Sequence, residues 1–406
     1  MQTSPRHKQL TFFALYVAQS IPMSLISTLL PVVMRQQHFS LSTIGMLQLI
    51  KLPWILKILW APLVDRHSES LASYKRWIWG SELCYALCLG LVALLQLELN
   101  FPLILALVVL AFACSATQDI ATDALTSRSF GTDTVQANRL QAMGQFAGTI
   151  LGGGVLMIAY SYLGWSLLFG LLALLVLALL IPLQLYREPL APRPNTDSGG
   201  RGRVGWGSIV SFFGRPSIGG HSLMLILFNA GLVGTMAMLK PYLVDAGYAL
   251  ADIAWLFSLY GAGCGFVASF LAGRYLRRLS HAEGLTITSG LVVLAALVVA
   301  VLAHTGQTGL WAVMLSLGAI WGAYGAGTVM LYSVAMDAVR SGSEGTDFTL
   351  QIVLLHLSSL VVASLSGKLA GTLGYVPFFY IEGGLALLSL LYIYYRYHAR
   401  PHKQIQ

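Results

Sequence analysis

The apolar runs of this chain are too long for the interior of an ordinary soluble domain. Phe101 to Cys114 and Leu167 to Leu183 pass without a charged residue. The lipid core of a bilayer asks for roughly 20 apolar residues per helix. Any backbone inside it must satisfy its own hydrogen bonds, which leaves helices or a closed barrel. A barrel would show short segments of alternating polarity, and these runs do not alternate, so helices are expected. Composition agrees: the chain is 56% hydrophobic and 10% charged, where soluble proteins carry about 25% charged residues.

Spans are expected near 11–33, 42–62, 76–98, 102–126, 138–160 and 165–186, then 218–241, 250–272, 284–304, 309–335, 347–371 and 376–396. The first runs from Thr11 to about Val33, too long for the apolar region of a secretion signal. With both termini cytoplasmic, 19 of the 24 Lys and Arg residues fall on one side, Arg35 alone lies in an opposite loop, and Lys51, Lys57, Lys240 and Lys368 lie within spans. That asymmetry is the positive-inside signal. It accounts for the net charge of +8, so no nucleic-acid partner is expected. The four cysteines lie in apolar runs and are read as small buried hydrophobes, and no metal site or cofactor is expected.

The longest polar stretch, rich in Pro, Gly, Ser and Arg, reads as a flexible linker over 187–217. It divides the chain into an N-terminal six-helix bundle, 1–186, and a C-terminal one, 218–406, the two-half design of many secondary transporters. The first, fourth, seventh and tenth spans are expected to line a central cavity. Small residues repeat at Gly144, Gly148 and Gly152 in the fifth span and at Gly261 and Gly265 in the eighth, a pattern that brings helix backbones together. These stripes suit contact between the halves or ordinary packing. The fifth lacks the proline of the antiporter signature, which argues against drug export.

Ionisable residues at membrane depth cost roughly 2.5–3.5 kcal/mol each on insertion scales, so each asks for a reason. Lys51 sits mid-span beside Pro53 and is expected to meet a carboxylate or an anionic ligand. Lys57 either snorkels to the interface or serves coupling. Asp119 and Asp123, at i and i+4, share one helix face and suit either a proton relay or a gate; Arg128 is the alternative partner of Asp123. Glu82 is expected to pair with a nearby Lys or Arg. His356 is a filler or a proton carrier. Asp337 ends the tenth span as Asp119 and Asp123 end the fourth. Asp347 opens the eleventh span, where a helix dipole favours an anion, and Asp65 is expected to dock there as part of a latch with Arg66, Asp123 and Arg128. Gln19, Gln118, Asn229, Tyr324, Tyr332 and Gln351 are nominated as substrate contacts.

Three segments carry a resemblance. Leu52-Pro53-Trp54-Ile55-Leu56-Lys57-Ile58-Leu59-Trp60-Ala61-Pro62-Leu63-Val64-Asp65-Arg66 resembles the second-span signature of AmpG-type permeases of the major facilitator superfamily. Ala116-Thr117-Gln118-Asp119-Ile120-Ala121-Thr122-Asp123-Ala124 resembles that group's fourth-span motif, and Gly345-Thr346-Asp347-Phe348-Thr349-Leu350-Gln351 the start of its eleventh span. The short length and the Thr117–Asp123 wording look more like the single-protein siderophore permeases of the rhizobactin and pyochelin type (RhtX/FptX). The resemblance implies an all-α membrane protein of twelve helices. It implies a monomeric, proton-driven importer of the inner membrane that takes in a ferric siderophore; the alternative is a muropeptide importer. No catalytic constellation and no P-loop stand in the sequence, so neither an enzyme nor an ATP-driven pump is expected.

Overall fold

The computed structural model describes residues 4–38, 47–190 and 205–399, and those residues are helical almost throughout. Among them nine helices are long and apolar enough to cross a membrane. One of these, Thr134–Leu185, holds both the fifth and the sixth spans, and they part at Gly164, whose φ of +69° only glycine adopts freely. The third span is the Leu71–Ala93 helix, made less apolar by Lys75, Arg76 and Glu82. The second is not one continuous helix over 42–62. Its described part is a chain of short turns, Leu47–Lys51, Leu52–Leu56, Lys57–Leu59 and Ala61–Arg66. Pro53 and Pro62 cause this: each lacks an N–H and stands at the start of a new helical turn.

Helix ends follow local chemistry. Ser4 accepts from the His7 amide in front of Pro5, and Ser70 and Ser280 each form a reciprocal capping box, which satisfies amides that the first turn leaves unbonded. The linker is not wholly irregular: Trp206–Phe213 is helical, with Phe212 buried and Trp206 and Val210 exposed. Its residues 191–204 lie outside the described residues.

The chain forms two compact units. The first comprises Met1–Gly131, Gly144–Ile209 and Val339–Leu350; the second comprises Thr132–Met143, Val210–Ala338 and Gln351–Gln406. The core of the first packs Ile21, Leu25, Leu29, Tyr85, Leu89, Phe112, Phe169 and Leu172. Its fifth-span glycines lie on the first span: a Cβ at Gly144, Gly148 or Gly152 would overlap Tyr16, Ser20 or the Ile21 carbonyl. In the second unit, Gly261 and Gly265 of the eighth span lie against Trp321 and Gly325 of the tenth. Both stripes therefore bring together helices of a single unit, and packing is their visible role.

Candidate functional site

The fourth span, Leu97–Phe130, turns Asp119 and Asp123 to one face, and the first unit closes over them. Lys57 forms an ion pair with Asp119, and both side chains are buried. Gln19 Nε2 donates to the other Asp119 oxygen at 2.8 Å. Asp123 Oδ1 accepts from the Tyr16 hydroxyl at 2.9 Å, and that hydroxyl also lies 3.0 Å from Thr126 Oγ1. The Trp54 ring sits 4.9 Å below the Lys57 ammonium, a cation–π contact that helps a buried charge. Trp60 Nε1 donates to Thr117 Oγ1 at 3.1 Å, at the rim of the cluster.

This geometry corrects several expectations. Lys57 does not snorkel: it is fully buried. The lysine on Asp119 is Lys57 and not Lys51, which is half-buried. The reason is the proline-broken second span, which resets the helical phase between the two lysines. Asp123 is buried against the Tyr16 hydroxyl. Arg128 donates to the Glu69 carbonyl at 3.0 Å, and Arg66 is exposed. Among the described residues Glu82 has no Lys or Arg partner; it is fully buried and neither oxygen has a hydrogen-bond partner there. Gln118 is also fully buried, and its amide has no hydrogen-bond partner among the described residues.

A second cluster forms where the eleventh helix, Glu344–Leu373, begins. Asp65 accepts from the Gly345 amide at 3.0 Å and from the Thr346 amide and hydroxyl at 2.6 Å each. Gly345 must lack a Cβ, which would lie 2.9 Å from Asp65 Oδ1 and 3.0 Å from Ile120 Cγ2. Burial pushes the Asp65 carboxyl up to about 7 from an ordinary 3.8, against the three hydrogen bonds, which favour its ionised form. Asp347 does not rest on the helix dipole alone. Arg340 grips it with Nε and Nη2 at 2.7 Å each and donates its own amide at 2.9 Å, the bidentate geometry that suits guanidinium and carboxylate.

In the second unit, Asp337 lies 3.0 Å from His281 Nε2 and accepts from Thr134 Oγ1 at 3.2 Å. Arg277 grips Asp133 with two bonds of 2.9 and 2.6 Å. Gln351 is no open substrate contact, because its Oε1 lies 2.6 Å from His221 Nε2 and its amide donates to the Ala335 carbonyl at 2.9 Å. Tyr332 is buried, Tyr324 is half-buried and His356 is exposed. Asn229 is buried with its Oδ1 unpartnered. Sequence reasoning missed Tyr16, His221, Arg340 and Thr346. Only Tyr16 gave a signal: it stands three residues before Gln19, on the same helix face.

An all-helical chain with buried charge across its spans and two compact units is a membrane transporter in form. The Major Facilitator Superfamily model matches residues 12–354; the chain belongs to that family. The anhydromuropeptide permease of Escherichia coli K12 is 23% identical over 395 residues, 92% of this chain and 76% of that protein. A Rickettsia conorii protein carrying the name AmpG 4 is 25% identical over 401 residues, covering 94% and 95% of the two chains. These relatives agree with the AmpG-type resemblance of the three sequence segments. The fold is shared with the fucose transporter FucP in its outward conformation, at a TM-score of 0.72 and 15% identity over 97% of this chain and 98% of that one. It is shared too with the human organic anion transporter MFSD10, at 0.74 and 16% over 96% and 100%. The protein is thus a multi-pass secondary transporter of the major facilitator type.

Proposed function

We propose that this protein imports an anhydromuropeptide-type solute, a sugar bearing a short peptide, across the inner membrane, and that protons drive the uptake. The buried Lys57–Asp119 pair carries the coupling part of this reading. A carboxylate bonded to a buried ammonium has two stable arrangements: ionised and paired, or protonated with the ammonium released. In the second, Lys57 is free to bind a carboxylate of the peptide. Asp123 and Glu82 stand on neighbouring spans as further proton acceptors. Gln118, buried in the first unit, keeps amide atoms without a hydrogen-bond partner among the described residues, which suits it to sugar hydroxyls and peptide groups, with Lys51 as a second cation. The substrate class rests on the relatives; siderophore import, the other expectation, finds no support among them.

Asp65 supplies the gate in this reading. Docked on Gly345 and Thr346 it holds the cytoplasmic end of the second span to the start of the eleventh helix, and release of that contact opens the inner side. The protein works as a monomer with both termini cytoplasmic.

Purified protein in vesicles, acidic outside, should accumulate radiolabelled anhydromuropeptide and should stop when a protonophore is added. Uptake of a ferric siderophore with no uptake of the anhydromuropeptide would overturn the substrate assignment. Uptake indifferent to the protonophore would overturn the coupling.

A further inference from the structure

Glu382 lies in the twelfth span, Tyr375–Tyr394, and is 3% exposed. Ser366 of the eleventh span donates to its Oε1 at 3.1 Å, and Oε2 has no hydrogen-bond partner among the described residues. Its carboxyl is pressed onto the seventh span at Gly234, where a Cβ would overlap all three carboxyl atoms, and its backbone carbonyl faces Gly231 in the same way. The site is thus built by three helices of the second unit, and the seventh leaves out two side chains to admit it. No sequence motif pointed to it.

The groups around it do not neutralise it. Lys240 on the seventh span lies over the Phe257 ring at 4.9 Å. Asp245 accepts from Tyr375 at 2.6 Å, and His221 is bonded to Gln351 at 2.6 Å. His304 of the ninth span packs on the Tyr380 ring with centroids 5.9 Å apart. Arg396 donates to the Ser217 carbonyl at 3.1 Å, and Lys368 on the eleventh span is exposed. Among the described residues no cation is bonded to Glu382. An ionised carboxylate with one hydroxyl donor and no countercharge costs several kcal/mol in such a place. A neutral acid avoids that cost: it carries no charge, and its carbonyl oxygen keeps the Ser366 donor.

We propose that Glu382 is a proton-binding site of the second unit, and that its neutral form is what lets the twelfth span seat on Gly231 and Gly234. Uptake adds one proton to a carboxylate oxygen. Loss of that proton to water leaves an anion that the glycine seam cannot hold dry, so the seam must loosen and hydrate. Proton release is thereby tied to movement between the seventh and twelfth spans. This deepens the proton-driven reading above and rests on it for its role in transport, though the protonation itself is measured without any solute.

Infrared difference spectra of the purified protein in lipid, taken between acid and alkaline pH, should show a carboxylic-acid carbonyl band that titrates in the wild type. That band should be missing in Glu382→Gln. In Ser366→Ala, which keeps the carboxyl but removes the hydroxyl that donates to it, the midpoint of the band should rise. Identical spectra in wild type and Glu382→Gln overturn the proposal, and so does a midpoint that moves with added sodium chloride, which would make the site one for sodium. In vesicles, Glu382→Gln should keep exchange of anhydromuropeptide at equal pH and lose at least about tenfold of the pH-driven accumulation, some 1.4 kcal/mol of coupling, with partial return in Glu382→Asp. Full accumulation in Glu382→Gln overturns the coupling role. Should the wild type fail to take up anhydromuropeptide at all, the import reading falls, and the infrared titration still decides Glu382.

Discussion

At the scale of single residues, the ion pair is the sharpest commitment. Removing one partner of a buried pair strands the other charge, at a cost of about 3–5 kcal/mol. Lys57→Ala is therefore expected to lower thermal stability in detergent and to abolish uptake. Adding Asp119→Ala to it should recover most of the stability and none of the pH-driven transport. Lys51→Ala, at a half-buried position, should leave stability near wild type; a loss as large as that of Lys57→Ala would show that the wrong lysine has been given the structural role. Part of this cluster could be read from the sequence. The spacing of Asp119 and Asp123 put both on one face without any structure. The choice of lysine could not be read: six residues of regular helix fix an angle between Lys51 and Lys57, but two prolines break the helix around them and the angle no longer follows from the count. His221 and Glu382 were missed for a related reason, since an isolated polar residue in a span does not reveal what faces it.

At the scale of elements, the contact of Asp65 with the start of the eleventh helix has a definite pH dependence. Docked, its carboxyl is pushed up to about 7 by burial; undocked and wet, it returns to the ordinary 3.8. Between those values the docked form holds a proton that the undocked form has lost. Docking is therefore strongest in acid and weakens as pH rises toward 7. A cysteine at the buried position Thr349→Cys, with the four native cysteines removed, should react with a cytoplasmic thiol reagent faster at pH 8 than at pH 5.5, after correction for the reagent's own pH dependence. Asp65→Asn should flatten that difference. The sequence expectation placed Asp65 at this helix but also sent Arg66 and Asp123 there; charges at helix ends are legible, while the direction in which each points depends on the turn of a short helix. The glycine stripe of the fifth span makes a second prediction at this scale. Gly148→Ala forces a methyl into Ser20 and the backbone beside it, an overpacking worth about 1–3 kcal/mol, whereas Gly80→Ala enters open space in mid-helix and should be neutral or stabilising by up to about 1 kcal/mol. Equal melting temperatures for the two variants would show that the stripe is not packed as described.

At the scale of the whole molecule, the distribution of basic residues fixes how the chain should lie in the bilayer. Alkaline phosphatase fused after Arg35 should be active, being outside, and fused after Arg215 it should be inactive; the opposite pattern would invert the molecule. Class and span number were legible because they depend on sums over many residues. The compact units were not, because the stretches 132–143 and 339–350 each cluster with residues from the other half of the chain, and no local pattern announces such an exchange. The bare backbone of Gly345 bears on how this lineage can change over time. Its missing side chain leaves room for the Asp65 carboxylate and for Ile120, so none of the three positions is at liberty to drift alone. A larger residue at 345 evicts the carboxylate, and a longer acid at 65 has no space to occupy. In descendants of this gene the three sites should persist together or be lost together, a single inherited character written in three distant places.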